Sequence, residues 1–209
     1  IALLPILTLE QLREQAKAVK WVVKHMVPAE SLGVMFGGSG TFKSFIGIDL
    51  AMHVAHGLPW LGRKTRQGKV LIVAAEGGAG LWRRVVAWHR EHRLKWDTAA
   101  VYVLPMAVDL GSASAEVQAA CAALDIRPDL VIVDTLSQTF AGEENSAAEV
   151  GDYLRELGLW FRTAWQACVL VIHHTGHTAT ERPRGSSAIR SNVDFMFGVF
   201  RDEKEMLAT

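Results

Sequence analysis

The sequence predicts an α/β domain, a mostly parallel twisted sheet flanked by helices, with a short N-terminal helical arm. Three observations predict it. Continuous apolar runs such as Val70-Leu71-Ile72-Val73-Ala74-Ala75 and Leu130-Val131-Ile132-Val133 show no polar alternation, the pattern of strands covered on both faces. Amphipathic helical stretches separate these runs. The segment Phe36-Gly37-Gly38-Ser39-Gly40-Thr41-Phe42-Lys43-Ser44 joins one such run to an apolar helix through a glycine-rich turn.

The bulk numbers agree with one domain. A chain of 209 residues, half of them hydrophobic, can build a full core. Lys and Arg number 22, as do Asp and Glu, so no global field attracts nucleic acid or a membrane surface, and such a contact must be local. Cys121 and Cys168 both sit in apolar surroundings, as reduced core thiols of a cytoplasmic protein would. No apolar run approaches the roughly 20 residues that span a bilayer. The opening Ile1-Ala2-Leu3-Leu4 lacks the basic flank of a signal peptide. The absence of an initial Met fits a piece of a longer protein.

Residues 1–20 form the arm and residues 21–209 the main domain. Residues 8–19 read as a helix capped by Thr8, with Leu9, Leu12 and Ala16 on one face. The arm is expected to pack on the core; docking on a neighbouring subunit is the alternative. Residues 20–30 lead into Leu32-Gly33-Val34-Met35-Phe36, the first buried strand.

The glycine-rich turn has the design of a phosphate-binding loop. Successive backbone N–H groups face a phosphate, and the helix N-terminus adds partial positive charge. Lys43 reaches the phosphates and the Ser44 hydroxyl holds Mg²⁺. Gly37, Gly38, Ser39, Gly40, Thr41, Phe42, Lys43, Ser44 and Phe45 are the candidate binding residues. Phe42 stands where the motif has its second glycine. An ordinary strand-to-helix turn would explain the loop alone, but later segments converge on it.

The helix after the loop stops at Gly57, with Pro59 behind it. Residues 63–69 are a basic turn. The strand of residues 70–75 runs into Glu76. Ligands of open α/β sheets bind at the C-terminal edge, so Glu76 is the candidate base that orients an attacking water; a helix-capping role is the alternative. Residues 79–93 form an amphipathic helix whose Arg83, Arg84, Arg90 and Arg93 are assigned to a solvated face, with a subunit contact as the alternative. Residues 101–104 are a third strand and residues 115–124 a small-residue helix.

The run Leu130-Val131-Ile132-Val133 ends in Asp134. An acid at that strand end is placed to hold the water shell of Mg²⁺ opposite Ser44. Residues 136–145 read as a polar loop. Ser146-Ala147-Ala148-Glu149 is a capping box that opens a helix reaching residue 165. A fifth strand, residues 168–172, ends in His173-His174. One of these two is expected to hydrogen-bond the γ-phosphate or the catalytic water; a purely structural role for both is the alternative, and a metal site with His177 is disfavoured because no Cys or acid of ligand spacing accompanies them. Residues 178–183 are polar, Arg184-Gly185-Ser186-Ser187 enters a short helix, and residues 194–200 form a sixth strand.

Taken together, these pieces resemble the RecA-like ATPase core. Within it they are similar to the RepA-type hexameric replicative helicases of plasmids and the related ATPases of phages and mobile elements. The resemblance rests on residues 37–44, on Ala74-Ala75-Glu76-Gly77, on Val133-Asp134-Thr135-Leu136 with Glu143-Glu144-Asn145, and on His173-His174-Thr175 with Arg184-Gly185-Ser186-Ser187. It implies that ATP and Mg²⁺ are bound and that Glu76 is the catalytic glutamate. It implies a γ-phosphate sensor in His174 or His173, and an arginine finger in Arg184 that serves the next subunit of a ring, commonly a hexamer. It implies a DNA helicase of replication whose channel loops, within residues 136–146 and 175–184, contact single-stranded DNA. Neither loop has the basic, aromatic-rich character of a single-strand groove. A nucleotide-switched loader with slow hydrolysis is therefore the second reading, and a recombinase-like filament protein the third.

Overall fold

The computed structural model describes residues 6–16, 20–75, 78–176 and 182–201. The arm is helix α1 (Leu9–Ala16). Thr8 and Gln11 cap it reciprocally, with Thr8 Oγ1 accepting from Gln11 N at 3.2 Å and Gln11 Oε1 accepting from Thr8 N at 2.9 Å. The arm does not pack on the core as expected. Leu9 is 85% exposed and Leu12 52%, because two leucines on so short a helix offer little apolar area to hold it down.

Strands β1 (Trp21–Val23) and β2 (Val27–Pro28) form a small antiparallel hairpin. The main sheet contains β3 (Leu32–Gly37), β4 (Val70–Ala74), β5 (Val101–Leu104), β6 (Leu130–Asp134), β7 (Cys168–His174) and β8 (Phe195–Val199). Its order is β5-β4-β6-β7-β3-β8, and every pairing is parallel. Helices α2 (Lys43–His56), α3 (Gly78–His92), α4 (Leu110–Ala123), α5 (Leu136–Thr139), α6 (Ala147–Leu157) and α7 (Ala188–Ser191) connect the strands. This is the architecture of a RecA-like P-loop NTPase core.

The two faces of the sheet carry separate cores. Met35, Ile72, Ile132, Leu170 and Ile172 meet α2, α3 and the hairpin. Their strand neighbours Val34, Val73, Val131, Val133, Val169 and Val171 meet α4, α5, α6 and α7. Burial on both faces is why these strands read as unbroken apolar runs.

Register brings four strand ends to one edge. Gly37 lies beside His174, Ala74 beside Asp134, and Asp134 beside Ile172. The loop after β3 and the tips of β4, β6 and β7 therefore face the same space.

Several boundaries differ from expectation. Helix α4 begins five residues early because Asp109 caps it, accepting from Gly111 N at 3.1 Å and from Ser112 Oγ at 2.8 Å. The small residues of its first turn carry no hydrophobic period. The expected loop after β6 contains α5, anchored by fully buried Leu136 and by Thr139 Oγ1 at 2.8 Å from Tyr153 OH. The capping box at α6 is half formed. Ser146 Oγ accepts from Glu149 N at 3.4 Å, but the Glu149 carboxylate accepts from Glu143 N at 2.9 Å. After α6 the chain widens into a π-helical stretch over Gly158–Thr163. Strand β7 runs two residues past its expected end, through both histidines. Residues 177–181, which take in His177 and the start of the expected polar segment, lie outside the described residues.

Candidate nucleotide site

Strand β3 ends at Gly37 and α2 starts at Lys43, so the loop between them is five residues long. Two glycines in this stretch are required by geometry. A Cβ on Gly37 would lie 2.3 Å from Val199 O, and Gly40 has a φ of +75°. Thr41 Oγ1 donates to Gly38 O at 2.9 Å and holds the turn closed.

Phe42 is the residue before α2, with a φ of 65°. The motif's usual glycine is explained by that left-handed backbone; here an aromatic residue adopts it. Its ring is 55% exposed and meets Phe45 edge to face at 5.7 Å. The guanidinium of Arg84 sits 4.5 Å from the centre of the Phe45 ring.

Lys43 is buried, and its Nζ donates to Gly37 O at 3.0 Å and to Gly38 O at 2.7 Å. The ammonium is thus held inside the loop. Lys43, Ser44, Thr135, His174 and Arg84 line a cleft of 250 Å³. Ser44 and Arg84 also line an adjoining cleft of 290 Å³ with Ala74, Gly80 and Asp134.

These donors fit a nucleotide phosphate and Mg²⁺. The hydroxyl of Ser44 and the carboxylate of Asp134 share one cleft and are oxygen ligands, which Mg²⁺ requires. The loop beside them has the close backbone approach that only glycine permits at Gly37. Glu76 lies outside the described residues. Its chain neighbour Ala75 donates its N–H to Asp134 O at 2.9 Å, at the same sheet edge.

The two histidines point to opposite faces of β7, as consecutive strand residues must. His174 lines the cleft beside Lys43. His173 is fully buried, and its Nε2 donates to Arg184 O at 2.9 Å. Burial holds the His173 imidazole below its ordinary pKa, partly offset by the Arg184 carbonyl and the Glu144 charge.

Arg184 does not line either cleft. Its Nε and a terminal nitrogen donate to Glu144 at 2.7 and 2.8 Å. Burial raises the Glu144 pKa, but the Arg184 hydrogen bond and the charges of His173, Arg184 and His174 outweigh it, so the net shift is downward. Arg184 shifts upward, chiefly through its hydrogen bond to Glu144. Ser186 N also donates to Glu144 O at 2.8 Å. The two segments expected to line a channel are therefore joined to each other within the subunit.

Arg84 was assigned to a solvated face, and the structure corrects this. A signal was available: α3 leaves the same sheet edge as Asp134, so residues in its first two turns lie over the site. Thr135, one residue past the acid, lines the cleft for the same reason.

Among the described residues, no helix is long and apolar enough to cross a membrane. No curated protein matches the sequence. The model of a family described as an AAA domain matches residues 2–180, most of the chain. With a phosphate-binding loop and a parallel α/β core, the chain belongs to this AAA domain family of P-loop ATPases.

Proposed function

We propose that the protein is an ATP-hydrolysing motor that works as a ring, the DNA helicase core of a plasmid- or phage-type replication protein. The observation that carries the ATPase part is the convergence of Lys43, Ser44, Asp134 and His174 on two adjoining clefts at one sheet edge. Lys43 and the loop N–H groups bind the phosphates. Ser44 and Asp134 hold Mg²⁺, which when bound neutralises phosphate charge. Glu76 takes a proton from the attacking water as its oxygen bonds the γ-phosphorus and the bond to the β–γ bridging oxygen breaks, yielding ADP and phosphate. His174 contacts the γ-phosphate, and His173 supports the strand tip from behind.

Arg184 is proposed as the arginine finger of the neighbouring site. Head-to-tail contacts that close into a ring would carry it there, once it leaves Glu144. The helicase and replication roles, and single-stranded DNA as partner, rest on the resemblance of the motif set.

One observation favours a second reading, a nucleotide-switched loader with slow hydrolysis. The Arg184–Glu144 pair holds the finger within its own subunit, so turnover would wait for a partner to release it. ATP hydrolysis by the chain and by Lys43→Ala, with and without single-stranded DNA and with mass followed by light scattering, tests both. DNA-stimulated turnover in a ring of fixed size, lost in the variant, supports the motor. Tight nucleotide binding with negligible turnover, relieved only by a protein partner, supports the loader.

A further inference from the structure

Four histidines and one aspartate gather where α2 and α3 end, away from the nucleotide clefts. His53 and His56 occupy the last turn of α2, and His89 and His92 the last turn of α3. Trp88 lies among them, stacked on His92 at 3.8 Å and on His56 at 5.6 Å. His53 is nine residues along α2 from Ser44, about 13 Å of helix.

The geometry points to a site for a divalent transition metal of the Zn²⁺ class, held by Asp49, His53 and His92. Donor atoms of these three residues lie within 4.8 Å of one another. Each group is oriented by a partner of its own. Asp49 Oδ1 accepts from Trp88 Nε1 at 2.7 Å, and Oδ2 accepts from Trp60 Nε1 at 2.8 Å. His53 Nδ1 lies 2.7 Å from Asp49 O, and His92 Nδ1 lies 2.9 Å from Trp88 O. A carbonyl only accepts, so Nδ1 carries the proton in both rings and Nε2 keeps its lone pair; the His53 Nδ1–H also faces Asp49 Oδ1 at 3.2 Å, so the carboxylate must turn from it toward the ion. Outer hydrogen bonds of this kind fix the tautomer of metal-binding histidines.

The electrostatics are suited to a cation. Two helix C-termini meet here, each with partial negative charge, beside the Asp49 carboxylate. Two imidazoles and a carboxylate are a borderline-soft donor set that selects Zn²⁺ over Mg²⁺. Donors around a tetrahedral ion with bonds of about 2.1 Å stand roughly 3.4 Å apart. Closing the site therefore takes up to about 1.4 Å of side-chain movement, with His92 shifting along the face of Trp88. A bound ion would tie the helix that carries Lys43 and Ser44 to the helix that carries Arg84.

Zn²⁺ titrated calorimetrically into the nucleotide-free chain tests this, with Co²⁺ absorption as a second readout. One equivalent is expected to bind, with the visible bands of a low-symmetry Co²⁺ site. His92→Gln and Asp49→Asn should each weaken binding about tenfold or more, while His56→Gln and Lys43→Ala leave it unchanged. Circular dichroism checks that each variant is folded, and His92→Gln is an exposed change. Absence of stoichiometric binding overturns the proposal. So does binding that survives both His92→Gln and Asp49→Asn, that follows His56 instead, or that is lost in Lys43→Ala, which would place the ion at the phosphate loop.

Discussion

The guanidinium of Arg184 grips the carboxylate of Glu144 through two hydrogen bonds, 2.7 and 2.8 Å long, across 40 residues of sequence. Glu144 is the more buried partner, its side chain 19% exposed against 43% for Arg184. A two-pronged pair of this geometry has a defined direction, unlike most surface pairs. It joins the loop after α5 to the segment that returns from β7. It also fixes where Arg184 starts from if it is to serve a neighbouring subunit.

Arg184→Ala is expected to leave ATP binding intact and to reduce turnover of the assembled protein by about 10³-fold or more, the scale of an arginine supplied in trans. Glu144→Gln should raise turnover, because it loosens the arginine without removing it. Steady-state hydrolysis measured against protein concentration checks both. A turnover unchanged by Arg184→Ala in an assembled sample would remove the finger assignment.

Lys43→Ala should abolish measurable nucleotide binding. Ser44→Ala should instead reduce turnover by about 10²–10³-fold, the scale of losing one fixed polar group at a charged transition state, and do so in a Mg²⁺-dependent way. Fluorescent ATP-analogue binding at several Mg²⁺ concentrations separates the two outcomes.

Arg84→Ala should weaken ATP-analogue binding by about tenfold to a hundredfold, since a charge-assisted contact to phosphate contributes about 1.5–3 kcal/mol and Arg84 lines both clefts. Its thermal midpoint should barely move. Equal affinity in the variant would return Arg84 to the solvated face.

Phe42→Gly should stabilise the chain by about 1 kcal/mol. A left-handed backbone costs an L-residue about 1–2 kcal/mol, only partly offset by an exposed contact with Phe45. For a domain of this size that is a rise of about 2–4 °C in Tm. Phe42→Ala, which keeps the backbone penalty, should show no such gain.

His174→Ala should lower turnover while ATP binding persists. His173→Gln should instead change the pH dependence of stability. The folded pKa of His173 is lowered, so its contribution is complete above its unfolded value of about 6.5 and is lost as pH falls through the folded value. The lowered carboxyl of Glu144 acts with the same sign further into acid: its contribution is present above its unfolded value and lost as pH falls through the folded one. Urea unfolding between about pH 5 and 8 should show stability rising with pH, less steeply below about 6.5 in His173→Gln. The lowered pKa of His56 leaves some slope of the same sign in that variant.

Much of the nucleotide site was legible because its parts are local. Asp134 stands at a strand end that an apolar run announces, Lys43 and Ser44 open the helix that follows another such run through the glycine-rich loop, and ligands of parallel sheets bind at that edge. Three features were not legible from local pattern. Helix α4 starts at a cap whose first turn is made of small residues. The apolar face of α1 finds no core partner among the described residues. Arg84 reads as one arginine among several on an amphipathic helix, and only the path of α3 over the sheet edge brings it to the clefts.

By itself the sequence determined the order of the six sheet strands and of the longer helices, the glycine-rich loop and the acid at the tip of β6, because each depends on neighbours within a few residues. Tertiary structure decided what depends on residues far apart. Which of His173 and His174 faces the cleft follows from the register of β7 between β6 and β3, since a shift of one residue would exchange their faces. The pairing of Arg184 with Glu144 follows from the return of the chain to the same edge. The gathering of Asp49, His53 and His92 follows from two helices that pack side by side and end together, which no local pattern encodes.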